Sequence, residues 1–170
     1  MQPNLFTQPA EWFTRLRGSE FRITRLHDAP IEDVPMENPA TVVDWLRPRL
    51  AQSVVYRPDV ENLIIINLNV RLKPIGWEII GTGSLNSVMI HPREIFKSAI
   101  IANAADFVLI HNHPSGDPTP SQDDVRGTRE LIQVTQILKI GLIDHLILGR
   151  PSFTSRGWVS LKELGYFSPN

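Results

Sequence analysis

The run Phe107-Val108-Leu109-Ile110 ends on His111-Asn112-His113, and a turn-forming stretch, Pro114-Ser115-Gly116, follows at once. Four consecutive apolar residues without polar alternation read as a buried strand, and a buried strand needs cover from neighbouring elements. Side chains two apart on a strand point to the same face. His111 and His113 can therefore reach one metal ion, while Asn112 points to the other side and anchors backbone.

The rest of the chain supplies the cover. Leu63 to Val70 is rich in β-branched residues and reads as a second buried strand. Trp77 to Thr82 and Ser87 to Ile90 read as two more, linked through Gly83 to Asn86, and Ile143 to Leu148 as another. A short strand is expected over Phe21 to Leu26. Asn38-Pro39-Ala40 starts a helix, with Asn38 as N-cap and Pro39 at the first helical position. That helix is expected to run to Pro48 or slightly beyond, where proline disfavours continuation. Pro92 opens a helix with Ile95, Phe96, Ala99 and Ile100 near a 3.6 period. Ser121 opens another that reaches Lys139, with Val125, Leu131, Ile132 and Leu138 as its apolar stripe and Gly141 suited to its C-terminal cap. In the tail, a short strand is expected near Phe153 and a small helix over Val159 to Leu164. Strands and helices alternate only partly, so the reading is a mixed sheet flanked by helices.

Composition removes several function classes. The chain has 170 residues, 42% hydrophobic and 21% charged, which is enough for one domain with a core. No apolar stretch approaches membrane-spanning length and the N-terminus lacks a secretory pattern. A cytoplasmic protein with no membrane partner is expected. The net charge of -1, with only scattered Arg15, Arg17, Arg22 and Arg25, does not resemble the basic patch of a nucleic-acid binder. There is no cysteine, so disulfides, a cysteine nucleophile and cysteine-ligated zinc are all excluded. Any metal must rest on His, Asp, Glu and water.

Asp124, just inside the helix after the loop, can supply a third ligand beside His111 and His113. Three protein ligands with an open position are the form that catalytic zinc takes. Yet Ser121-x-x-Asp124 also matches a helix capping box, although Glu or Gln is more usual at its last position. Local spacing leaves Asp124 open between ligand and cap.

His-x-His, seven residues, Ser, two residues and Asp resembles the JAMM (MPN+) metalloprotease motif, and His111, His113, Ser121 and Asp124 fit that spacing. The longer string His-Asn-His-Pro-Ser-Gly-Asp-Pro-x-Pro-Ser-x-x-Asp resembles the RadC branch of that group. So do the flanking blocks Gly83-Ser84-Leu85-Asn86, His91-Pro92-Arg93-Glu94, Asn103-Ala104-Ala105 and Asp144-His145. The resemblance implies a JAB/MPN fold, similar to that of cytidine deaminases. That is an α/β (mixed α+β) chain forming a single, three-layer-like domain over residues 39–150. Residues 1–38 would be an N-terminal extension and residues 151–170 a C-terminal extension packing on the domain.

The resemblance also implies a zinc ion on His111, His113 and Asp124, and a protein or peptide substrate. Zinc on such a set lowers the pKa of its water from about 15.7 toward about 7. The family uses a glutamate on an earlier strand as general base. Glu61, just before Asn62-Leu63-Ile64, occupies that position, and Glu78 is its rival. Glu61 would take a proton and return it to the leaving amine. Ser121 would donate to the tetrahedral oxyanion while its oxygen accepts from a helix N–H. Ser115-Gly116 is expected to shape the turn, and His145 to be a satisfied core histidine, with orientation of a metal ligand as the sharper alternative.

A second function follows from the same resemblance, because RadC-like proteins are associated with DNA repair and its partners. Residues 1–40 lack the Gly-rich helix-hairpin-helix signature often found in that family, and the near-neutral charge opposes tight phosphate binding. A zinc nucleobase deaminase would need a Pro-Cys-x-x-Cys ligand pair, which a cysteine-free chain cannot supply. A non-catalytic binding module is disfavoured by the complete motif.

Overall fold

Residues 32–83 and 91–167 are described in the computed structural model, together with the backbone of two earlier strands. The chain divides into two units, Met1–Pro30 and Ile31–Asn170. In the first, β1 (Trp12–Leu16) and β2 (Ser19–Ile23) pair antiparallel as a hairpin. The expected strand over Phe21 to Leu26 thus begins earlier, at Ser19, and its end lies outside the described residues. The expected strand over Ser87 to Ile90 lies outside them as well.

The second unit is a mixed sheet between helices. Its elements are α1 (Pro39–Gln52), β3 (Asn62–Leu68), β4 (Pro74–Thr82), α2 (Pro92–Ile101), β5 (Asp106–Asn112), α3 (Gln122–Leu138), β6 (Gly141–Leu148) and β7 (Trp158–Ser160). The strand order is β4-β3-β5-β6-β7, with β5 and β6 parallel and the other neighbours antiparallel. β5 sits at the centre, which is why its apolar run needs no polar alternation.

The two faces of the sheet sort by residue parity. Ile64, Ile66, Val108 and Ile110 face α1 and meet Val42, Val43, Leu46 and Leu50. Leu63, Ile65, Phe107 and Leu109 face the other way and meet Ile95, Phe96 and Ala99 of α2 and Leu131 of α3. Phe96 packs edge-on against Phe107 with ring centroids 5.5 Å apart. His111 continues the odd-numbered face, so it points toward α3.

Several expectations change. Asn38 caps α1 as expected, its side chain accepting from Ala40 N–H at 2.8 Å, but the helix continues past Pro48 to Gln52 with Pro48 on its exposed side. The buried positions of α3 are Asp124, Thr128 and Leu131, while Leu138 is exposed; Ile100 on α2 is exposed too. The C-cap of α3 is Lys139 in the left-handed region (φ 57°), not Gly141. Gly141 opens β6, where a Cβ would meet the Asp106 carboxylate, which would have to shift to admit it. The tail strand is Trp158–Ser160, and Phe153 stands in solvent outside any strand. Residues 161–167 form turns where a small helix was expected.

One irregularity matters for the site. Phe107 pairs with Leu142 but Val108 pairs with Asp144, so Ile143 is an extra residue in β6. Such a bulge reverses the facing of everything after it. It turns His145 to the side of Leu109 and His111, and sends Leu146 and Leu148 to the α1 face.

Candidate metal centre

His111 is the penultimate residue of β5 and its side chain is 0% exposed; His113 lies just past the strand and is 14% exposed. The His113 N–H still bonds Leu148 C=O on β6 at 2.8 Å, which keeps the backbone extended through the second histidine. Its Nδ1 meets the Asp117 carbonyl at 2.8 Å. Ser115 Oγ accepts from Asp117 N–H at 3.2 Å, and Gly116 adopts φ +88°. The turn role expected for Ser115-Gly116 is therefore the one they fill.

Asp124 faces the sheet because it shares one face of α3 with Thr128, one turn on, and with Leu131. His111 Nε2 stands 3.1 Å from His113 Nε2 and 3.1 Å from Asp124 Oδ1, and His113 Nε2 is 3.6 Å from Asp124 Oδ2. Bonds of about 2.0–2.1 Å at tetrahedral angles put neighbouring zinc ligands about 3.3 Å apart. The three residues fit that spacing, and their donor set is one that binds divalent ions. The His111–His113–Asp124 group can hold a metal ion.

Asp124 is both cap and candidate ligand. Its Oδ2 accepts from Ser121 N–H at 2.7 Å and from Ser121 Oγ–H at 2.6 Å, while Ser121 Oγ accepts from Asp124 N–H at 3.1 Å. This is a complete capping box. Oδ1 is left facing His111. Burial opposes ionisation of Asp124, but hydrogen bonds from His111 and His113 outweigh it and hold the carboxyl well below the ordinary range. The same hydrogen bond with Asp124 raises the pKa of His113, against the opposing effect of burial.

Glu61 is buried and immediately precedes β3. The pairing of β3 with β5 ends at Leu63 and His111, two residues short of Glu61 and His113. The charge of Glu61 contributes, as the smallest of several effects, to the raised pKa of His113. Glu78 pairs with Ile65, further down the sheet, and accepts the Ser98 hydroxyl of α2.

Asn112 points away from the two histidines and anchors backbone. Its Oδ1 accepts from Asn62 N–H and from Asn62 Nδ2, both at 2.9 Å, and its Nδ2 donates to Val60 C=O at 2.9 Å. It thereby grips the chain on both sides of Glu61.

His145 is fully buried, and burial holds its imidazole well below the ordinary range. Its Nε2 lies 2.9 Å from His111 Nδ1 and its Nδ1 lies 2.6 Å from Thr128 Oγ1. Asp144 serves the sheet edge: it accepts from Ser160 Oγ at 2.6 Å and from His145 N–H at 2.7 Å. The sequence reading passed over Thr128 and Asn62. The helical spacing from Asp124 to Thr128 was a usable signal; Asn62 offered none. On the α1 side of the sheet a cleft is lined by Arg47, Tyr56, Asn112, His113 and Arg150.

Comparison with known proteins agrees with this geometry. The family model described as "RadC-like JAB domain" matches residues 36–166. The UPF0758 protein STH371 of Symbiobacterium thermophilum is 39% identical over 147 residues, 86% of this chain and 60% of its own length. The UPF0758 protein TTE0897 of Caldanaerobacter subterraneus subsp. tengcongensis is 49% identical over 107 residues, 63% of this chain and 44% of its own. The UPF0758 protein YsxA of Bacillus subtilis is 45% identical over 106 residues, 62% of this chain and 44% of its own. The chain thus spans about half the length of these relatives. With the matched residues covering the sheet, the three helices and the whole His-His-Asp cluster, the chain belongs to the RadC-like JAB domain family.

Proposed function

We propose that this chain is a zinc-dependent hydrolase of the JAMM type that cleaves an amide or isopeptide bond in a protein or peptide substrate. The observation that carries this reading is the convergence of three ligand atoms at an edge still reachable at His113, with the buried Glu61 near enough for its charge to act on His113. When bound, zinc supplies Lewis acidity and lowers the pKa of a coordinated water from about 15.7 toward about 7.

The remaining work falls to this chain's own side chains. Glu61 takes the proton of the attacking water and returns it to the leaving amine. At rest the Ser121 hydroxyl gives its proton to Asp124 Oδ2. Rotation of that O–H toward the substrate supplies an oxyanion donor, and the Ser121 N–H stays on Oδ2 to keep the carboxylate oriented. One such donor is worth about 10²–10³ in rate. No helix among the described residues is long and apolar enough to cross a membrane.

The test is Glu61→Gln, which preserves size and removes the base. It should keep bound metal and lose about 10²–10⁴ of the hydrolysis rate on an isopeptide and peptide panel. Full activity in that variant would sink Glu61 as the base; activity unaffected by removal of the metal would sink the zinc mechanism.

A further inference from the structure

We propose that Thr128 and His145 form a positioning relay that holds a hydrogen on His111 Nδ1 and so presents Nε2 to a metal, its polarity set by the main-chain carbonyl of Asp124. The inference rests on the reading of His111, His113 and Asp124 as a metal centre.

The polarity follows from counting protons. Thr128 Oγ1 lies 2.6 Å from the Asp124 carbonyl oxygen, which can only accept. The single hydroxyl proton of Thr128 therefore goes there, in the i−4 back-bond that threonine makes on helices. Toward His145 Nδ1, also 2.6 Å away, the same oxygen can only accept, so Nδ1 carries a hydrogen. The reverse arrangement would leave two oxygen lone pairs facing each other at 2.6 Å.

His145 is 0% exposed, and among the described residues its ring nitrogens meet only Thr128 and His111. An enclosed imidazole with no carboxylate on either nitrogen stays neutral. Its Nε2 is then bare and accepts from His111 Nδ1–H at 2.9 Å. With a hydrogen held on Nδ1, Nε2 is the His111 atom left to take a metal, and it faces His113 Nε2 and Asp124 Oδ1. His113 reaches the same tautomer more directly, because its Nδ1 lies 2.8 Å from the Asp117 carbonyl, again a group that can only accept. Both rings are thus polarised by main-chain carbonyls.

The relay runs from the Asp124 carbonyl through Thr128 and His145 to His111 Nδ1, and His111 Nε2 faces the carboxylate of the same Asp124. Thr128 and His145, which are not candidate ligands, thus tie α3 and the bulged strand β6 to His111 at the end of β5. The extra residue Ile143 is what turns His145 to this side.

Two measurements on the full chain test it. Long-range ¹H–¹⁵N correlation should show His145 neutral, with hydrogen on Nδ1 and a bare Nε2, in metal-free and zinc-loaded protein alike. Thr128→Val keeps the buried volume and removes the hydroxyl; zinc affinity, read by chelator competition, should fall about 10–100-fold. Thr128→Ser should bind as the wild type does. His145 found charged or protonated at Nε2 overturns the relay. So does a folded Thr128→Val that binds zinc as tightly as wild type, or a folded Thr128→Ser as weak as Thr128→Val. Should Thr128→Val fail to fold, the wild-type tautomer decides alone. A wild-type chain that binds no zinc fails the metal-centre reading, and the metal-free tautomer still judges the relay separately.

Discussion

Replacing Asn112 with alanine removes three hydrogen bonds in one step. Its Oδ1 serves the backbone N–H and the side-chain amide of Asn62, and its Nδ2 serves Val60 C=O, all at 2.9 Å. Both amides are buried, Asn62 at 0% and Asn112 at 4% exposure, so water does not replace the lost partners. At a net worth of about 1 kcal/mol per bond the substitution costs about 3 kcal/mol, with the stranded Asn62 N–H pushing the value up. For a chain of this size 1 kcal/mol corresponds to about 2–4 °C, so thermal unfolding of the metal-free variant should shift down by about 6–12 °C. Calorimetry beside the wild type reads this directly. Because Asn112 holds the residues on either side of Glu61 but faces away from the histidines, hydrolysis should fall much further than zinc affinity does. An unchanged Tm, or a loss of zinc binding as large as the loss of rate, would refute the assignment of Asn112 as the clamp of the Glu61 segment.

In metal-free protein, stability should decline as pH rises through neutrality. The Asp124 hydrogen bond raises the pKa of His113 above its ordinary value near 6.5, so the native state holds the proton more tightly than the unfolded one. That contribution is complete below about pH 6.5 and is lost through the raised folded pKa; urea titrations from about pH 6.5 upward should show the decline, and His113→Gln should flatten it. Zinc affinity should run the opposite way, rising over the same window as the proton competing for His113 is released. Gly141→Ala should destabilise by about 1–3 kcal/mol in denaturant unfolding, because a Cβ there meets the Asp106 carboxylate; a neutral outcome would show that Asp106 moves aside freely.

The sequence carried the helix starts well, because Asn38, Pro92 and Ser121 act through local hydrogen bonds or a fixed φ that neighbours along the chain determine. It also carried the strand phase that aims His111 toward α3. Asp124 stayed ambiguous because capping and ligation demand the same position. The carboxylate resolves this by using Oδ2 for the box and turning Oδ1 to His111. The bulge at Ile143 was not legible, since a one-residue slip between β5 and β6 depends on partners far apart in sequence. That slip decides whether Asp144 or His145 meets the ligand side, and so it hid the role of Thr128 too. The tail was misread for a related reason: Trp158–Ser160 is a strand because β6 offers it an edge, while the more hydrophobic-looking Phe153 finds no surface to cover.

The central claim is a metal centre on His111, His113 and Asp124, and elemental analysis of the purified chain beside His113→Ala tests it most directly. The account predicts about one divalent ion per wild-type chain and loss of that ion in the variant. Equal metal content in the two proteins would contradict it.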